Sequence, residues 1–251
     1  MDRPVSKGEG TMTHRCATWF FLATLILAPL GADDAAAQDS LRTQNDGEGA
    51  DVLGAFADSF KLLLIEHAWR IGLQEKTQQE LGGKFWLDYH RSVRIPRQWG
   101  DTDAGWVNYI GHPIHGAAAG YIWLDHEPDA PYEFSRNRRY WTSRARAAAW
   151  SAAYSLQFEI GPLSEASIGN VGLRPETTGW VDFVITPIGA FALIVVEDAL
   201  DHYVVKWTEE RVPNRYLRML IRLAANPGRT LSNSASGRPP WARDGRPIAW
   251  R

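Results

Sequence analysis

Residues 108–121 read "NYIGHPIHGAAAGY", and this stretch decides how the helices of the chain can pack. Proline fits the first turn of a helix, and its ring disfavours helical backbone angles in the residue before it. We therefore predict a helix that opens at Pro113, with His112 just outside it and His115 in its first turn. Two imidazoles would then lie at the start of one helix, where polar groups from neighbouring helices can reach them.

Glycines within this stretch predict a close contact with a second helix. Gly116 and Gly120 are four residues apart on one helical face, where the missing side chains let another backbone approach. The chain from about 136 to 159 predicts a longer helix with a matching stripe of small and aromatic residues. The members of that stripe are Ala147, Ser151, Tyr154 and Phe158.

Three further helices are predicted, over about 51–80, from about Gly179 onward, and over about 213–225. The helix that starts near Gly179 is apolar on nearly every side, and its apolar part is short for a membrane span, which favours a core helix. The sequence has no strand-like alternation of any length. The predicted fold class is therefore all-α, a compact bundle of four or five helices with no significant sheet.

One face of the first helix is predicted to meet the core. Apolar residues recur there at helical spacing, and His67 falls on the same face. The apolar members of this face are Leu53, Phe56, Phe60, Leu63, Leu64 and Ile71. We expect His67 to be a packed or half-exposed core residue.

The N-terminal residues have the layout of a secretory signal. A basic start precedes an apolar stretch over 17–32 and three alanines at 35–37, so we expect cleavage after Ala37. An uncleaved membrane anchor is the alternative. The predicted organisation is a signal peptide at 1–37, a disordered linker at 38–49, a helical domain at 50–225 and an irregular tail at 226–251. Cys16, the only cysteine, lies in the signal, which excludes disulfides and thiolate chemistry from the mature chain.

Charge and aromatic content bear on the partners. The formal net charge is −2, so charge gives no reason to expect a nucleic-acid partner. Arg215, Arg218 and Arg222 would form a basic stripe on the last helix, and the tail adds arginines and tryptophans. These residues favour adsorption to an anionic membrane surface, with a solvated helix face as the alternative. We expect an exported, periplasmic protein peripheral to a membrane, with a membrane surface or lipid-like ligand as partner.

Polar residues on the buried helices give a candidate site, because a buried polar side chain is tolerated when it is paired or functional. The candidates are His112, His115, Glu159, Asp182 and Thr186. Asp182 and Thr186 are one turn apart and project from the same face of their helix.

Four polar residues further along the chain fit the helix surface instead. Asp198 and His202 are one turn apart and suit a surface pair, while Glu197 and Asp201 suit pairs with nearby cations.

The order of the site residues resembles a bacterial cell-envelope family of unknown function. Its pattern is HP-x-HG, then a Glu that ends an aromatic helix, then D-x-x-x-T-x-x-G and a Glu-bearing helix. The matching residues here are His112, Pro113, His115, Gly116, Glu159, Asp182, Thr186, Gly189 and Glu197. The layout is more distantly similar to the VanZ-like membrane proteins, which carry His, Glu and Asp on successive helices. The resemblance covers roughly residues 105–205 and implies a shared architecture and an envelope location.

Three interpretations of the candidate site stay open. Imidazoles and carboxylates bind Zn²⁺ and similar ions, although the H-P-I-H spacing matches no standard metal motif. A histidine held by one carboxylate, with a second nearby, could instead move protons without a metal, as in hydrolysis of a lipid or lipid-linked sugar. The same residues could also form a paired polar network that fixes the register of the helices.

The leading functional prediction is a helical domain that binds or processes a lipid-like or cell-wall-linked ligand through its His–Glu–Asp cluster. The alternative is a non-enzymatic scaffolding or interaction protein whose polar cluster is structural. The sequence leaves open whether the chain is an enzyme, which metal or cofactor it would use, and which protein it would bind.

Overall fold

The computed structural model describes residues 49–73, 98–101, 103–168 and 179–248, together with 77, 78, 81, 86, 89 and 90. The helices in this part of the chain are α1 Val52–Leu73, α2 His112–His126, α3 Arg138–Ile160, α4 Glu165–Ile168, α5 Trp180–Leu200, α6 Lys206–Glu209, α7 Arg215–Ala225 and α8 Pro227–Ala235. The predicted signal peptide and nearly all of the predicted linker lie outside the described residues.

These helices confirm the all-α prediction. Six of them have nine residues or more, one more than the upper prediction, and the described residues form no strand. The described part of the chain has one isolated β-bridge, a parallel pairing of Gln98 with Gly179. It ties the segment before α2 to the start of α5.

α2 lies at the centre and contacts α1, α3, α5 and α8. A Cβ at Gly116 would come within 2.8 Å of Ser151 on α3 and of Thr186 on α5, and a Cβ at Gly120 would come within 2.6 Å of Ile194. The predicted glycine face is therefore a three-helix contact. The predicted stripe on α3 is buried as well, from Ala147 to Phe158.

The start of α2 differs from the prediction. A π-helical turn, Val107–Gly111, leads directly into α2, so His112 is the first residue of the helix and has helical backbone angles. Pro113 has no N–H to donate, and its ring would clash with the carbonyl one turn earlier in a regular helix. The wider π turn keeps the chain helical across this point. His112 is thereby fixed to a rigid element and does not lie in a loop.

α1 presents a rotated face to the core, which shares Leu63 and His67 with the predicted face. Leu53, Phe56 and Leu64 are exposed, whereas the inward face carries Ala55, Ser59, Leu62, Leu63, His67 and Arg70. Both sets satisfy helical spacing. The inward face is less apolar in sequence, because it includes polar residues such as Ser59 and Arg70. These residues can be buried because they pair with polar groups of other parts of the chain. His67 is buried, as predicted.

The predicted irregular tail contains a helix, α8, which packs on α1 and α2. Leu231 and Ala235 belong to the main core cluster. Glycine, serine and asparagine give this segment low helix propensity, so its helix depends on tertiary packing. Glu197 supplies the cap, because its carboxylate accepts hydrogen bonds from the backbone N–H of Gly228 (2.8 Å) and Arg229 (3.2 Å). Glu197 is buried, so its assignment to the helix surface was wrong.

Asp198 was also wrongly assigned to the surface. Its carboxylate is buried and accepts hydrogen bonds from the Tyr140 hydroxyl at 2.9 Å and from the guanidinium groups of Arg144 at 2.7 Å and Arg229 at 2.8 Å. Its donors come from α3 and α8, which sequence spacing along α5 cannot reveal. His202 faces Glu133 instead, with Nδ1 3.6 Å from the carboxylate. Asp201 pairs with cations as predicted, namely Arg243 and Arg246, but it is buried, so its assignment to the helix surface was wrong.

The predicted basic stripe on α7 is interrupted. Arg222 is buried and donates to the carbonyl oxygens of Trp241 (3.0 Å) and Arg246 (2.9 Å). The exposed side of α7 carries Tyr216, Leu217 and Leu220 instead.

One helical run in the described residues, Trp180–Glu209, is long and apolar enough to cross a membrane. It joins α5 to α6 through a π-helical turn, Asp201–Val205, and 28% of its most apolar window is buried inside the protein. This assignment depends only on the length and composition of the helical run, and the core helices of soluble proteins meet the same criterion.

Candidate functional site

Three helix ends bring four of the five predicted site residues together. His112 begins α2, Glu159 lies in the last turn of α3, and Asp182 lies in the first turn of α5. One ligating atom from each of these side chains lies within 4.8 Å of the other two. His112 Nε2 is 3.3 Å from Asp182 Oδ1. We call this group, His112, Glu159 and Asp182, the acid cluster.

Thr186, the fourth residue, fixes the imidazole of His112. Its hydroxyl oxygen is 3.3 Å from His112 Nδ1, and Thr186 is fully buried. This contact turns the other ring nitrogen, Nε2, toward the carboxyl of Asp182. Thr186 and Asp182 can act on the same ring because they lie one turn apart on α5, as the sequence predicted.

His115, the fifth residue, pairs with a carboxylate outside the acid cluster. Its Nδ1 lies 2.9 Å from Glu66 Oε1, and Tyr154 donates its hydroxyl to Glu66 Oε2 at 2.8 Å. The imidazole of His115 packs edge-on against Phe158, with ring centroids 4.5 Å apart. Its Nε2 is buried and has no hydrogen-bond partner among the described residues. Glu66 thus holds the ring and leaves one nitrogen free to act on another group.

Glu66 was missed by sequence reasoning, although it carried a signal. It interrupts the apolar run "LLLIEHAWR" of α1, where a lone carboxylate on the inward side needs a partner. The ring centroids of His112 and His115 lie 6.1 Å apart. His112 contacts the carboxyl of Asp182, and His115 contacts the carboxylate of Glu66.

Two further carboxylates surround the acid cluster, and both were missed. Asp101 is buried in the segment before α2 and accepts a hydrogen bond from the Asn108 amide at 2.8 Å. Glu165, on α4, is paired with Arg70 at 2.7 Å. Sequence spacing gave no signal for either, because Asp101 is brought close by the Gln98–Gly179 bridge and Glu165 by the turn after α3.

Burial and mutual repulsion change the protonation of the acid cluster. Burial, together with the nearby carboxylates of Asp101 and Glu165, raises the pKa of Asp182 to about 8. Burial and the charges of Glu165 and Asp182 raise the pKa of Glu159 well above its usual range. Burial and the neighbouring His115 lower the pKa of His112 to about 4. At neutral pH the cluster therefore combines a neutral imidazole with carboxyls that hold protons.

This arrangement has two chemical capabilities. The carboxyls of the acid cluster can give up protons, and His115 Nε2, on a ring oriented by Glu66, can accept one. Alternatively, with the protons displaced, one imidazole nitrogen and two carboxylates form a set of metal ligands.

A scan against protein-family models and searches of curated proteins and of solved structures found no match. The resemblance to the envelope family and to VanZ-like proteins therefore stays a prediction from the motif residues.

Proposed function

We propose that this chain is a membrane-associated protein of the cell envelope that binds and processes a lipid-like or cell-wall-linked ligand at the acid cluster. The observation that supports the proposal is that a proton acceptor lies close to two proton donors. An imidazole held by a carboxylate, His115 with Glu66, lies beside buried carboxyls that retain their protons, Glu159 and Asp182. Active sites commonly pair a proton acceptor with a proton donor whose pKa values are shifted by burial.

Hydrolysis of an ester or phosphoester is the reaction that these groups support best. His115 Nε2 takes a proton from the attacking water, while Asp182 gives its proton to the leaving oxygen. The bond to the leaving group breaks as the bond to the water oxygen forms. A return transfer from His115 to Asp182 through solvent then restores both groups.

The local backbone supports a functional role for His112. The π-helical turn Val107–Gly111 ends directly before it. Such turns are uncommon and are frequent at functional sites, because the wider backbone re-aims the side chains that follow. The imidazoles of His112 and His115 keep 11% and 12% of their surface exposed, but His115 Nε2 itself is buried, so a water or ligand oxygen must displace neighbouring side chains to reach that nitrogen.

Exposed apolar side chains support membrane association. Trp207, at the end of the long helical run, is 55% exposed, with Arg211 stacked over its ring at 4.3 Å. Tyr216 and Leu220 are exposed on α7, where Arg215 lies 4.9 Å from the centre of the Tyr216 ring. Arginine beside aromatic and aliphatic side chains suits the boundary between headgroups and acyl chains. The secretory layout of the N-terminus supports the envelope location.

A scaffolding role is the second candidate, and one observation favours it. Asp182 and Glu159 are only 3% and 5% exposed, and Thr186 is fully buried. A polar network buried to this degree can serve to fix the register of α2, α3 and α5. Substitution of its members would then unfold the protein.

The proposed function is tested with two matched histidine variants of the full chain. His115→Ala removes the imidazole held by Glu66. His126→Ala removes a histidine that is also held by carboxylates, Asp51 at 3.2 Å and Asp58 at 3.1 Å, but lies at the opposite end of α2. The probes are vesicles of anionic phosphatidylglycerol and a labelled polyprenyl diphosphate-linked sugar in the same vesicles.

We expect the wild type and His126→Ala to bind the vesicles and release labelled product from the polyprenyl diphosphate-linked sugar. We expect His115→Ala to bind the vesicles, which shows that it is folded, and to release none. Product release by His115→Ala at the wild-type rate would contradict the proposed chemistry. Failure of the wild type to bind vesicles would contradict the membrane association.

A further inference from the structure

The atoms of the acid cluster are spaced as metal ligands are. Zinc binds histidine nitrogen and carboxylate oxygen at about 2.0–2.2 Å, so two ligands of a tetrahedral site lie about 3.4 Å apart. His112 Nε2 and Asp182 Oδ1 are 3.3 Å apart. The remaining separations, all within 4.8 Å, would need to close by at most about 1.4 Å when an ion binds.

An unpartnered oxygen lies inside this cluster. Asp182 Oδ1 is buried and has no hydrogen-bond partner among the described residues. Its 3.3 Å contact with His112 Nε2 satisfies an ion-pair distance without the alignment of a hydrogen bond. The Asp182 side chain is 5% exposed. A buried carboxyl oxygen that lies near an imidazole nitrogen and forms no hydrogen bond with it is the arrangement that a shared cation would complete.

The other nitrogen of His112 is held as a metal-bound histidine usually is. Nδ1 lies 3.3 Å from the Thr186 hydroxyl, so a proton on Nδ1 can be donated to that oxygen while the lone pair of Nε2 points into the cluster. Such partners fix the tautomer and the orientation of a ligating ring. Thr186 is fully buried on α5, which keeps the contact rigid.

The charge around the cluster also suits a cation. The carboxylates of Asp101 and Glu165 face Asp182 in addition to Glu159. Arg70 already forms an ion pair with Glu165 at 2.7 Å. Buried like charges repel one another strongly, and a divalent cation between them would offset that repulsion.

We propose that His112, Glu159 and Asp182 bind one divalent transition-metal ion of the zinc and manganese class. Three protein ligands leave further coordination positions for water or a ligand oxygen, which is the composition of a catalytic centre. The assignment deepens the proposed function and rests on it only for the role of the ion. The ion would displace the Asp182 proton and would itself stabilise the leaving oxygen in place of that proton. One imidazole with two carboxylates favours zinc over magnesium, which prefers oxygen ligands alone.

The test is calorimetric titration of the metal-stripped full chain, prepared without a polyhistidine tag, with Zn²⁺, Mn²⁺ and Mg²⁺. We expect one more equivalent of Zn²⁺ to bind to the wild type than to Asp182→Asn or Glu159→Gln. Affinity should fall in the order Zn²⁺, Mn²⁺, Mg²⁺. Glu197→Gln, which changes a buried carboxyl at the other end of α5, is the matched control and should bind as the wild type does.

A second variant keeps the test informative if a ligand variant fails to fold. Thr186→Val leaves all three ligands in place and removes only the contact to His112 Nδ1, and we expect a 10–100-fold loss of Zn²⁺ affinity. Co²⁺ in place of Zn²⁺ should give visible absorption bands in the wild type that are absent in Asp182→Asn. Equal Zn²⁺ stoichiometry in the wild type and both ligand variants would overturn the metal site.

The proposed function and the metal site can fail separately. Product release by the metal-stripped protein at the full rate, together with no Zn²⁺ binding, would leave the acid–base function standing and overturn the metal site. Zn²⁺ binding without vesicle binding or product release would support the site and contradict the proposed function.

Discussion

The close approach of α2 and α5 can be tested with one added methyl group, in Gly116→Ala. The new Cβ would lie 2.7 Å from Ser151 Oγ, 2.7 Å from the Thr186 carbonyl oxygen and 2.8 Å from Thr186 Cγ2. Ordinary contacts begin at 3.4 Å, so the helices must separate by about 0.7 Å. A backbone oxygen and a β-branched side chain on a packed helix cannot rotate away.

The net effect follows from two opposing contributions. Alanine is favoured over glycine inside a helix by about 1 kcal/mol. Overpacking of a rigid core costs about 1–3 kcal/mol, and three simultaneous short contacts place this site at the upper end. We therefore expect Gly116→Ala to lower the free energy of unfolding by about 2 kcal/mol, which lowers the melting temperature by about 4–8 °C in a domain of this size.

The assay is thermal and urea unfolding followed by circular dichroism. Gly111→Ala is the matched control, since it adds a methyl group in the same helical run and its Cβ meets nothing closer than 3.9 Å. It should raise stability by about 0.4–1 kcal/mol. If Gly116→Ala is as stable as Gly111→Ala, the three-helix contact that positions His112 and His115 is not as close as we describe.

Three further predictions concern the opposite end of the bundle and its surface. Burial raises the pKa of Glu197 from an ordinary 4.5 to about 7. The folded state therefore holds this proton more tightly than the unfolded state does, and the free energy of unfolding falls as the pH rises from 4.5 to 7. Urea unfolding at several pH values should show Glu197→Gln gaining about 3 kcal/mol relative to the wild type across that range, and a constant difference would refute this. Arg144→Met removes one of the buried cations that pair with the Asp198 carboxylate. Calorimetry should show a free energy of unfolding lower by about 3–5 kcal/mol, and a decrease of less than about 1 kcal/mol would contradict the pairing. Leu220→Ser should change stability by no more than about 0.5 kcal/mol yet weaken sedimentation with anionic vesicles, whereas unchanged sedimentation would exclude α7 from the membrane contact.

Helix periodicity and glycine spacing were sufficient to predict the centre of the fold. The contact of Gly116 with α3 followed from the position of two glycines one turn apart and from the small-residue stripe on α3, whereas its contact with Thr186 on α5 did not. The direction that α1 faces did not follow, since Phe56 and Leu62 both lie on surfaces with helical spacing. The choice between them depends on Glu66 and Arg70, whose partners lie far away along the chain.

Part of the candidate site was predicted from the sequence, namely the polar residues that lie on buried helices. His112, Glu159, Asp182 and Thr186 were found because each is a polar residue on a buried helix, and the fold brings them together. Asp101 and Glu165 lie in short connecting segments, where a carboxylate is ordinary and carries no signal. Only the bridge between Gln98 and Gly179 and the turn after α3 bring them to the cluster.

The helix α8 shows the limit of propensity arguments. Its sequence, "PGRTLSNSA", is rich in residues that favour turns, and it folds as a helix because its N-terminus is capped by Glu197 and its apolar side is buried. A cap supplied from another helix is not visible in local sequence. The buried carboxylates of Glu197 and Asp198 were assigned to the surface for the same reason.

We infer that the acid cluster serves a ligand and does not serve to stabilise the fold. The most direct test is the free energy of unfolding of Asp182→Asn and Glu159→Gln, measured by urea denaturation of metal-free protein at neutral pH. These isosteric changes relieve the crowding of buried carboxyls, and residues kept for function are commonly suboptimal for stability. We expect both variants to be more stable than the wild type, by about 1–2 kcal/mol. A loss of more than about 1 kcal/mol in both would mean that the cluster holds α2, α3 and α5 together, and would contradict the account.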